Sequence, residues 1–238
     1  MGMRAPLLVS WLSICGLVTG CASAVGEAGS TPSPLVPLRA PVVMFIGDSF
    51  AVGSGPVPAW KSYAAETARL LGWQLITAGG RGAGFVATGK VHRTFSQSFT
   101  RELSWRPEPD LVVLAGGHND RNAAKDVQRA AVKLVGRVKQ RWPRAKVVLV
   151  GPIWVKSPPK AAYKIRDAVA KAAWLTGVPF ADPLPQKWRK GDSLPDGTHP
   201  TLAGHDRLAR WLVATLRSRG VAPEEGGPRP LSGPYQGP

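Results

Sequence analysis

Five short apolar runs, separated by turns and by segments with helical spacing, constrain the fold of this chain more than any other feature. Apolar residues fill these runs almost continuously, which is typical of strands that are buried on both faces. Parallel strands need crossover connections, and those connections are right-handed. The pattern therefore predicts an α/β fold, a three-layer α/β/α sandwich around a parallel sheet of about five strands. The predicted strands are 41–46, 73–78, 110–115, 145–150 and 178–181, and the predicted helices are 59–71, 123–142, 159–176 and 200–219.

The two ends of the chain differ in composition from this central region. Residues 1–20 carry one positive charge followed by an interrupted apolar run, a pattern typical of a signal peptide and too short for a membrane span. Residues 21–40 are rich in Ser, Pro, Gly and Ala and are predicted to form a tether without structure. Residues 221–238 are rich in Pro and Gly and are predicted to form a disordered tail. One folded domain is therefore expected over residues 41–220.

The two cysteines, Cys15 and Cys21, lie in the N-terminal region, which excludes disulfides and cysteine-based zinc sites from the domain. Small residues precede Cys21 at the end of the apolar run, as in the bacterial lipobox. We therefore expect export, with Cys21 lipidated and the protein anchored to the outer face of the cell membrane. The alternative is ordinary secretion after cleavage at Ala24, since residues 22–24 form an A-x-A site.

The charge is strongly basic, with 31 Lys and Arg against 15 Asp and Glu and a formal net charge of +16. Such a balance favours an anionic partner, such as an acidic polymer of the cell envelope or a membrane surface. The basic residues are spread along predicted helices, however, and the sequence carries no zinc-finger or RNA-binding signature. No nucleic-acid partner is therefore predicted, and a monomer is expected.

The first predicted strand ends in Gly47-Asp48-Ser49. Open α/β sheets bind ligands just outside the carboxyl ends of their strands, so Ser49 is a candidate nucleophile by position. The alternative is an ordinary strand-to-helix turn in which Ser49 is the N-cap. A nucleophilic serine also requires a base, an orienting acid and an oxyanion hole.

The base and the acid are both found in Asp196-Gly197-Thr198-His199-Pro200, just before the last predicted helix. In a turn, the Asp196 carboxylate can accept the Nδ1–H of His199 and leave Nε2 directed at a serine. The alternative is that Asp196 is a turn residue and His199 an exposed residue at the helix start.

Two further clusters follow the second and third predicted strands. Asn119 lies in Gly116-Gly117-His118-Asn119-Asp120 and carries an amide that can donate to a developing oxyanion. Alternatively, Asn119 and Asp120 cap the helix that begins near Asn122, and we expect Asp120 to do so in either case.

The other cluster is the glycine-rich segment Gly79–Phe85, where a backbone N–H can point into a site without obstruction by a Cβ. Its glycines also match a loose dinucleotide-binding fingerprint and a near Walker A motif, in which Val91 replaces the required Ser or Thr. Residues 88–100 are predicted to be a loop, so no helix follows either match, and we discount nucleotide binding.

Together these clusters resemble the SGNH hydrolases, also called the GDSL esterase/lipase family, over about residues 41–219. The matching blocks are Gly47-Asp48-Ser49, Gly79, Gly117-x-Asn119-Asp120 and Asp196-x-x-His199-Pro200. Two positions depart from the family pattern: Thr77 replaces a usual Asn, and Phe50 replaces a frequent Leu.

The resemblance implies a flavodoxin-like fold and a Ser49–His199–Asp196 catalytic triad without metal or cofactor. It also implies an oxyanion hole formed by the backbone N–H groups of Ser49 and Gly79 and by the Asn119 side chain. Gly82 is a rival for the glycine position. The candidate substrate-binding residues are His118, Trp154 and Gly82.

The predicted function is that of an exported serine esterase that hydrolyses short-chain esters, such as acetyl esters on envelope or environmental glycans. The expected mechanism is acyl transfer through an acyl-enzyme. The alternatives are a lipase or thioesterase acting on lipid acyl esters and a non-catalytic, envelope-binding lipoprotein. The sequence leaves open whether the acyl group is hydrolysed or transferred to another hydroxyl.

Overall fold

A computed structural model describes Gly2 and residues 39–224, and within these residues five parallel strands form one sheet. The strand order is β2-β1-β3-β4-β5, the flavodoxin-like order, so the predicted fold is confirmed. The strands are β1 (Val42–Gly47), β2 (Gln74–Gly79), β3 (Leu111–Ala115), β4 (Lys146–Val150) and β5 (Phe180–Ala181).

Alternate residues along each central strand enter two separate hydrophobic cores. In β1, Val43 and Phe45 face one core, whereas Met44 and Ile46 face the other. All five residues of β3 are buried. Burial on both faces explains why these strands lack the alternation of apolar and polar residues that a half-exposed strand shows.

Helices cover both faces of the sheet. Helices α4 and α5 pack against each other on the side of Met44, and α2 and α6 pack against each other on the side of Phe45, which completes the three layers. A 3₁₀ turn over Ala59–Lys61 and the N-cap Ser62 precede α2, so this helix begins later than predicted. The helices are α1 (Ser49–Val52), α2 (Tyr63–Leu70), α3 (Phe95–Ser98), α4 (Ala124–Arg141), α5 (Lys160–Thr176) and α6 (Leu202–Ser218).

The prediction of a loop over residues 88–100 is wrong. A 3₁₀ turn at Gly89–Val91 is followed by α3 and then by a π-helical turn at Phe99–Leu103. Phe95, Phe99 and Leu103 are at most 2% exposed and pack into the core beside α4. Their spacing of four residues is the helical signal in the sequence, and the polar residues between them conceal it.

The folded domain continues past its predicted end at residue 220. Val221 is buried, and the indole Nε1–H of Trp73 donates to the Pro223 carbonyl oxygen at 3.1 Å. The first residues of the predicted tail are therefore part of the packed domain. The predicted signal peptide, Cys21 and residues 225–238 lie outside the described residues, apart from Gly2. Within the described part of the chain, no helix is long and apolar enough to cross a membrane.

Candidate active site

The strand order places the candidate site at the point where the chain changes direction across the sheet. From β1 the chain passes to β2 on one side, and β3 lies on the other side of β1. Ligands of open α/β sheets bind in the crevice at such a switch point, outside the carboxyl ends of the strands. The segments that leave β1 and β3 carry Ser49 and Asn119, so the fold brings these two residues to the same crevice.

Asp48, and not Ser49, is the N-cap of the short helix α1. Its Oδ1 accepts a hydrogen bond from the Phe50 N–H at 3.0 Å, and this bond places Ser49 at the first helical position. The alternative in which Ser49 acts as the cap is therefore wrong. Ser49 is 6% exposed, and its hydroxyl remains available for another partner.

That partner is His199, which is 150 residues away in sequence. The distance from His199 Nε2 to Ser49 Oγ is 3.0 Å, and the distance from His199 Nδ1 to Asp196 Oδ2 is 2.7 Å. Asp196 also accepts the backbone N–H groups of Thr198 and His199 through Oδ1. Asp196 is thus both a turn residue and the partner of the imidazole.

Asp196 is strongly biased toward its charged form. Partial burial opposes ionisation, but hydrogen bonds from the backbone and ring of His199 and from Thr198 outweigh it and lower the Asp196 pKa to about 2. An ionised Asp196 is an acceptor only, so Nδ1 of His199 carries the proton on that side. In the neutral ring, Nε2 is then the acceptor for the Ser49 hydroxyl.

Asn119 lies close to Gly82 because its side chain bonds to Ala83, the next residue in the chain. One N–H of the Asn119 amide donates to the Ala83 carbonyl oxygen at 2.9 Å, which orients the amide and leaves its second N–H free of that bond. The Ala83 N–H closes a turn onto the Gly80 carbonyl at 3.0 Å. Gly82 occupies the third position of this turn with φ +78°, as a type II turn requires, and its own N–H takes no part in closing the turn.

Gly79 does not match its predicted role. It pairs with Gly47 in the β1–β2 ladder, and the Gly80 N–H donates to the Gly47 carbonyl at 3.0 Å. In a parallel ladder, a residue forms its backbone hydrogen bonds with the neighbours of the residue it is paired with, and not with that residue itself. Gly47 therefore bonds to Gly80, and the N–H of Gly79 faces away from β1 and from Ser49. A Cβ on Gly79 would lie 2.1 Å from the Gly47 oxygen, so strand packing explains this glycine. The geometry favours Gly82, the rival position, as the oxyanion glycine.

Asp120 does not cap α4, contrary to expectation, because Ala123 occupies that N-cap position. Its buried carboxylate instead accepts three backbone N–H groups, those of residues 85–87, at 2.8 to 2.9 Å. A Cβ on Gly84 would lie 2.3 Å from this carboxylate. Asp120 therefore clamps the loop that contains Gly82, and close approach to Asp120 accounts for one glycine of the apparent dinucleotide fingerprint.

The candidate substrate residues His118 and Trp154 contact each other. Their ring centroids are 4.1 Å apart, and His118 Nδ1 lies 3.0 Å from the Ile153 carbonyl oxygen. Phe50 lies between His118 and His199, with ring centroids 5.4 and 5.5 Å away. Burial, aided by the charges of Arg121 and His199, lowers the His118 pKa. An aromatic wall thus runs from the imidazole of His199 to the half-buried Trp154.

Three exposed cations surround the site on three different loops. The Arg81 Nε–H donates to the Gly53 carbonyl at 3.1 Å, and the Arg121 guanidinium lies 5.9 Å from the Trp154 ring centre. Lys156 covers Gly197, since a Cβ there would lie 2.2 Å from Nζ. None of the three cations forms a salt bridge within residues 39–224. Sequence reasoning missed Lys156 because nothing in its local pattern marks it.

A model of the GDSL-like lipase/acylhydrolase family matches residues 45–207, which is more than half of the chain and includes every member of the candidate site. The chain belongs to this family. Its enzyme class is therefore that of an ester hydrolase. None of the curated proteins matches this family member by sequence.

Solved structures with the same fold include two carbohydrate esterases. A family two carbohydrate esterase from Clostridium thermocellum in complex with cellohexaose has a TM-score of 0.63 and 20% identity, covering 78% of this chain and 66% of that one. A carbohydrate acetylesterase from Sinorhizobium meliloti has a TM-score of 0.62 and 18% identity, with coverage of 75% and 99%. A salicylyl-acyltransferase from a tetracycline biosynthetic pathway has a TM-score of 0.61 and 22% identity, with coverage of 77% and 56%.

Proposed function

We propose that this family member hydrolyses short acyl esters of glycans with Ser49 as nucleophile, His199 as base and Asp196 as the orienting acid. The observation that carries the proposal is the continuous hydrogen-bonded chain from Asp196 Oδ2 through the His199 ring to Ser49 Oγ. A protein that only binds a ligand has no use for this chain, whereas serine-based acyl transfer requires it.

In the first step, Ser49 Oγ attacks the ester carbonyl carbon while His199 Nε2 takes the hydroxyl proton. The carbonyl oxygen becomes negatively charged. We assign its stabilisation to the backbone N–H groups of Ser49 and Gly82 and to the second N–H of the Asn119 amide. The Ser49 N–H is suited to this role because the first N–H groups of a helix have no intrahelical acceptor.

In the second step, the tetrahedral intermediate collapses to an acyl-enzyme as His199 returns its proton to the departing alcohol oxygen. His199 then deprotonates a water molecule that attacks the acyl carbon, and Ser49 leaves with the proton restored. The carboxylate of Asp196 stabilises the imidazolium that forms in both halves of the reaction.

The exposure of the triad favours a short acyl group. The His199 and Asp196 side chains are 21% and 47% exposed, so the base and the acid of the triad lie near the surface. The aromatic face of Trp154 suits stacking against a sugar ring. The fold shared with two carbohydrate esterases, one of them in complex with cellohexaose, supports a glycan as the alcohol component.

The test is a panel of nitrophenyl esters of rising acyl length, assayed beside acetylated glycans. We expect the highest kcat/KM with acetyl esters, and a preference for long chains would favour the lipase or thioesterase alternative. A fluorophosphonate probe should label the protein, and Ser49→Ala should abolish labelling and lower kcat by at least about 10⁴-fold. Ser54→Ala, which changes a neighbouring buried serine, is the matched control. Absence of labelling in the parent protein would indicate a non-catalytic binder.

We further propose that the protein is exported and carries lipid on Cys21, as the lipobox-like pattern indicates. Metabolic labelling with a fatty acid should mark the protein and should be lost in Cys21→Ala. A mature N-terminus immediately after Ala24, without lipid, would contradict this proposal.

A further inference from the structure

The end of the domain opposite the active site has a surface that the ester chemistry does not use. We call it the basal face: the N-terminal ends of β3 and β4, the C-terminal ends of α4, α5 and α6, and the residues next to them. Parallel strands place the active site at their carboxyl ends, and the helices that follow them run back to the opposite end. The 18-residue helix α4 separates the two ends by roughly 27 Å.

Large apolar side chains are exposed on the basal face. Trp105, in the segment that leads into β3, is 55% exposed. Trp174 and Leu175, in the last turn of α5, are 71% and 49% exposed. None of the three belongs to either hydrophobic core. Tryptophan exposed to this extent is typical of surfaces that meet an apolar or interfacial partner.

A cationic side chain lies against the ring of each of these tryptophans. The Arg106 guanidinium lies 4.3 Å from the Trp105 ring centre, and Lys171 Nζ lies 3.8 Å from the Trp174 ring centre. The end of α4 joins the two tryptophans into one surface: the Lys139 ammonium donates to the Thr176 carbonyl at 2.7 Å, next to Trp174. On the other side, Arg141 donates to the Ser104 and Arg106 carbonyls, which flank Trp105.

The positive charge continues toward the end of α6. The Lys146 ammonium donates to the Gly220 carbonyl at 3.1 Å, next to the exposed Arg217 and Arg219. An open cavity of about 820 Å³ lies here, lined by Lys146, Arg217, Glu224 and apolar residues such as Leu71 and Pro223.

Two carboxylates of the basal face are already neutralised by arginine. Glu108 and Asp110 pair with Arg144 and Arg39, and their side chains are only 13% and 16% exposed. With Glu224 as the remaining carboxylate at the cavity, the cations outnumber the anions, and the basal face is complementary to an anionic surface.

We propose that the basal face docks the domain onto an anionic phospholipid bilayer. Trp105, Trp174 and Leu175 enter the interfacial region, and the surrounding Lys and Arg side chains bind lipid phosphates. The chain that precedes the domain supports this choice of partner. The described domain begins at Arg39, which pairs with Asp110 at the start of β3. The lipid anchor proposed at Cys21, on which this part of the argument rests, would therefore be joined to the domain at this face. The active site then faces away from the membrane.

The test uses residues 36–238, which include the whole described domain with both of its hydrophobic cores. We expect this protein to sediment with vesicles of phosphatidylglycerol and phosphatidylcholine, to bind pure phosphatidylcholine at least about tenfold more weakly, and to dissociate as salt rises. The double variants Trp105→Ala/Trp174→Ala and Lys139→Glu/Lys171→Glu should each weaken binding about tenfold or more. Hydrolysis of a soluble nitrophenyl ester should be unchanged, which also reports correct folding.

Matched variants at the active-site end distinguish docking through the basal face from attraction caused by the overall positive charge. Trp60→Ala removes a tryptophan that is 74% exposed before α2, and Lys125→Glu/Lys160→Glu changes the opposite ends of the same two helices. These variants should keep vesicle binding. Equal loss in both sets, or equal binding to neutral vesicles, would overturn the proposal. Basal variants that weaken retention on a soluble anionic polymer, but not on vesicles, would also overturn it.

Discussion

Two aspartates near Ser49 have opposite electrostatic environments. Burial raises the Asp48 pKa to about 7, whereas the hydrogen bonds of the turn lower the Asp196 pKa to about 2. The local environment, and not the residue type, therefore sets the different pKa values of Asp196, which accepts the hydrogen bond of the imidazole, and Asp48, which caps the turn after β1. The two residues are equally acidic in the unfolded chain, where nothing distinguishes them.

The raised Asp48 pKa gives a testable dependence of stability on pH. The folded pKa lies above the unfolded value of 3.8, so the folded state favours the protonated carboxyl, and this stability is lost progressively as pH rises from 3.8 to about 7. Asp48→Asn removes the titration and keeps an oxygen for the Phe50 N–H. Relative to this variant, the parent should lose about 2.5 kcal/mol between pH 5 and pH 8, measured by chemical denaturation. Asp126→Asn, on an exposed carboxylate, is the control, and parallel pH profiles for parent and Asp48→Asn would contradict the prediction.

His205 should make stability depend on pH in the opposite direction, with stability falling as pH drops. It is 1% exposed, and its Nδ1 accepts the Tyr63 N–H at 3.0 Å, so a second ring proton would displace this bond. Burial, with a smaller contribution from the charge of His199, lowers the His205 pKa to about 4.

Because the folded pKa of His205 lies below the unfolded value of 6.5, stability should fall as pH drops from 6.5 toward 4. His205→Asn keeps an acceptor for the Tyr63 N–H and removes the titration. Between pH 7 and pH 4 the parent should lose up to about 3 kcal/mol relative to this variant, by denaturation at each pH. If both proteins lose stability equally over this range, another group controls the acid response.

At the level of elements, the glycines of the segment after β2 have different roles, some in packing and one in the proposed chemistry. Gly79 allows β2 to approach Gly47, Gly82 supplies a turn with positive φ, and Gly84 makes room for Asp120. A sequence shows several glycines in a row and cannot show which N–H points at a site, because that direction depends on how β2 pairs with β1.

Substitution of two of these glycines should separate the roles. A Cβ on Gly82 would lie 3.0 Å from the Gly89 Cα, and the φ of +78° disfavours alanine by about 1 kcal/mol. Gly82→Ala should therefore fold, melt slightly earlier and lose kcat by about 10²-fold, because the turn that holds the N–H is distorted. Gly79→Ala should chiefly lose stability, since its Cβ would lie 2.1 Å from the Gly47 oxygen. The assignment fails if Gly82→Ala keeps full kcat. Paired melting curves and steady-state kinetics make the comparison.

The elements themselves differ in how well the sequence predicts them. The predicted strands agree with β1 to β5 within about two residues, because continuous apolar runs leave few alternatives to a doubly covered strand. Helices α4, α5 and α6 are long and amphipathic and are also predicted closely. Helix α3 and the π-helical turn after it were missed, since four or five residues carry too little periodicity and only tertiary packing buries Phe95 and Phe99.

At the scale of the whole molecule, the net charge of +16 should affect catalysis on charged substrates. Arg81, Arg121 and Lys156 surround the site, so an acetylated anionic polysaccharide should have a higher kcat/KM than an uncharged one. Raising ionic strength from 10 to 300 mM should reduce that advantage about tenfold through screening. Kinetics at several salt concentrations measure the slope.

One triple variant and one double variant test which cations cause the salt dependence. Replacing Arg81, Arg121 and Lys156 by Gln should flatten the salt dependence for the anionic substrate. Replacing Arg217 and Arg219 by Gln, at the other end of the molecule, should leave it unchanged. A faster reaction on the uncharged polysaccharide at low salt would contradict a role for these cations in substrate attraction.

By itself, the sequence determines the layered parallel sheet and the polar clusters at its strand ends. Both follow from local patterns, namely continuous apolar runs and the residue types that stop them. Tertiary structure decides that Asp120 clamps a loop instead of capping a helix and that Asp48 is the N-cap beside Ser49. It also decides that Gly82 rather than Gly79 lies beside Asn119. These outcomes depend on distances between residues far apart in the chain, which only strand pairing and burial establish.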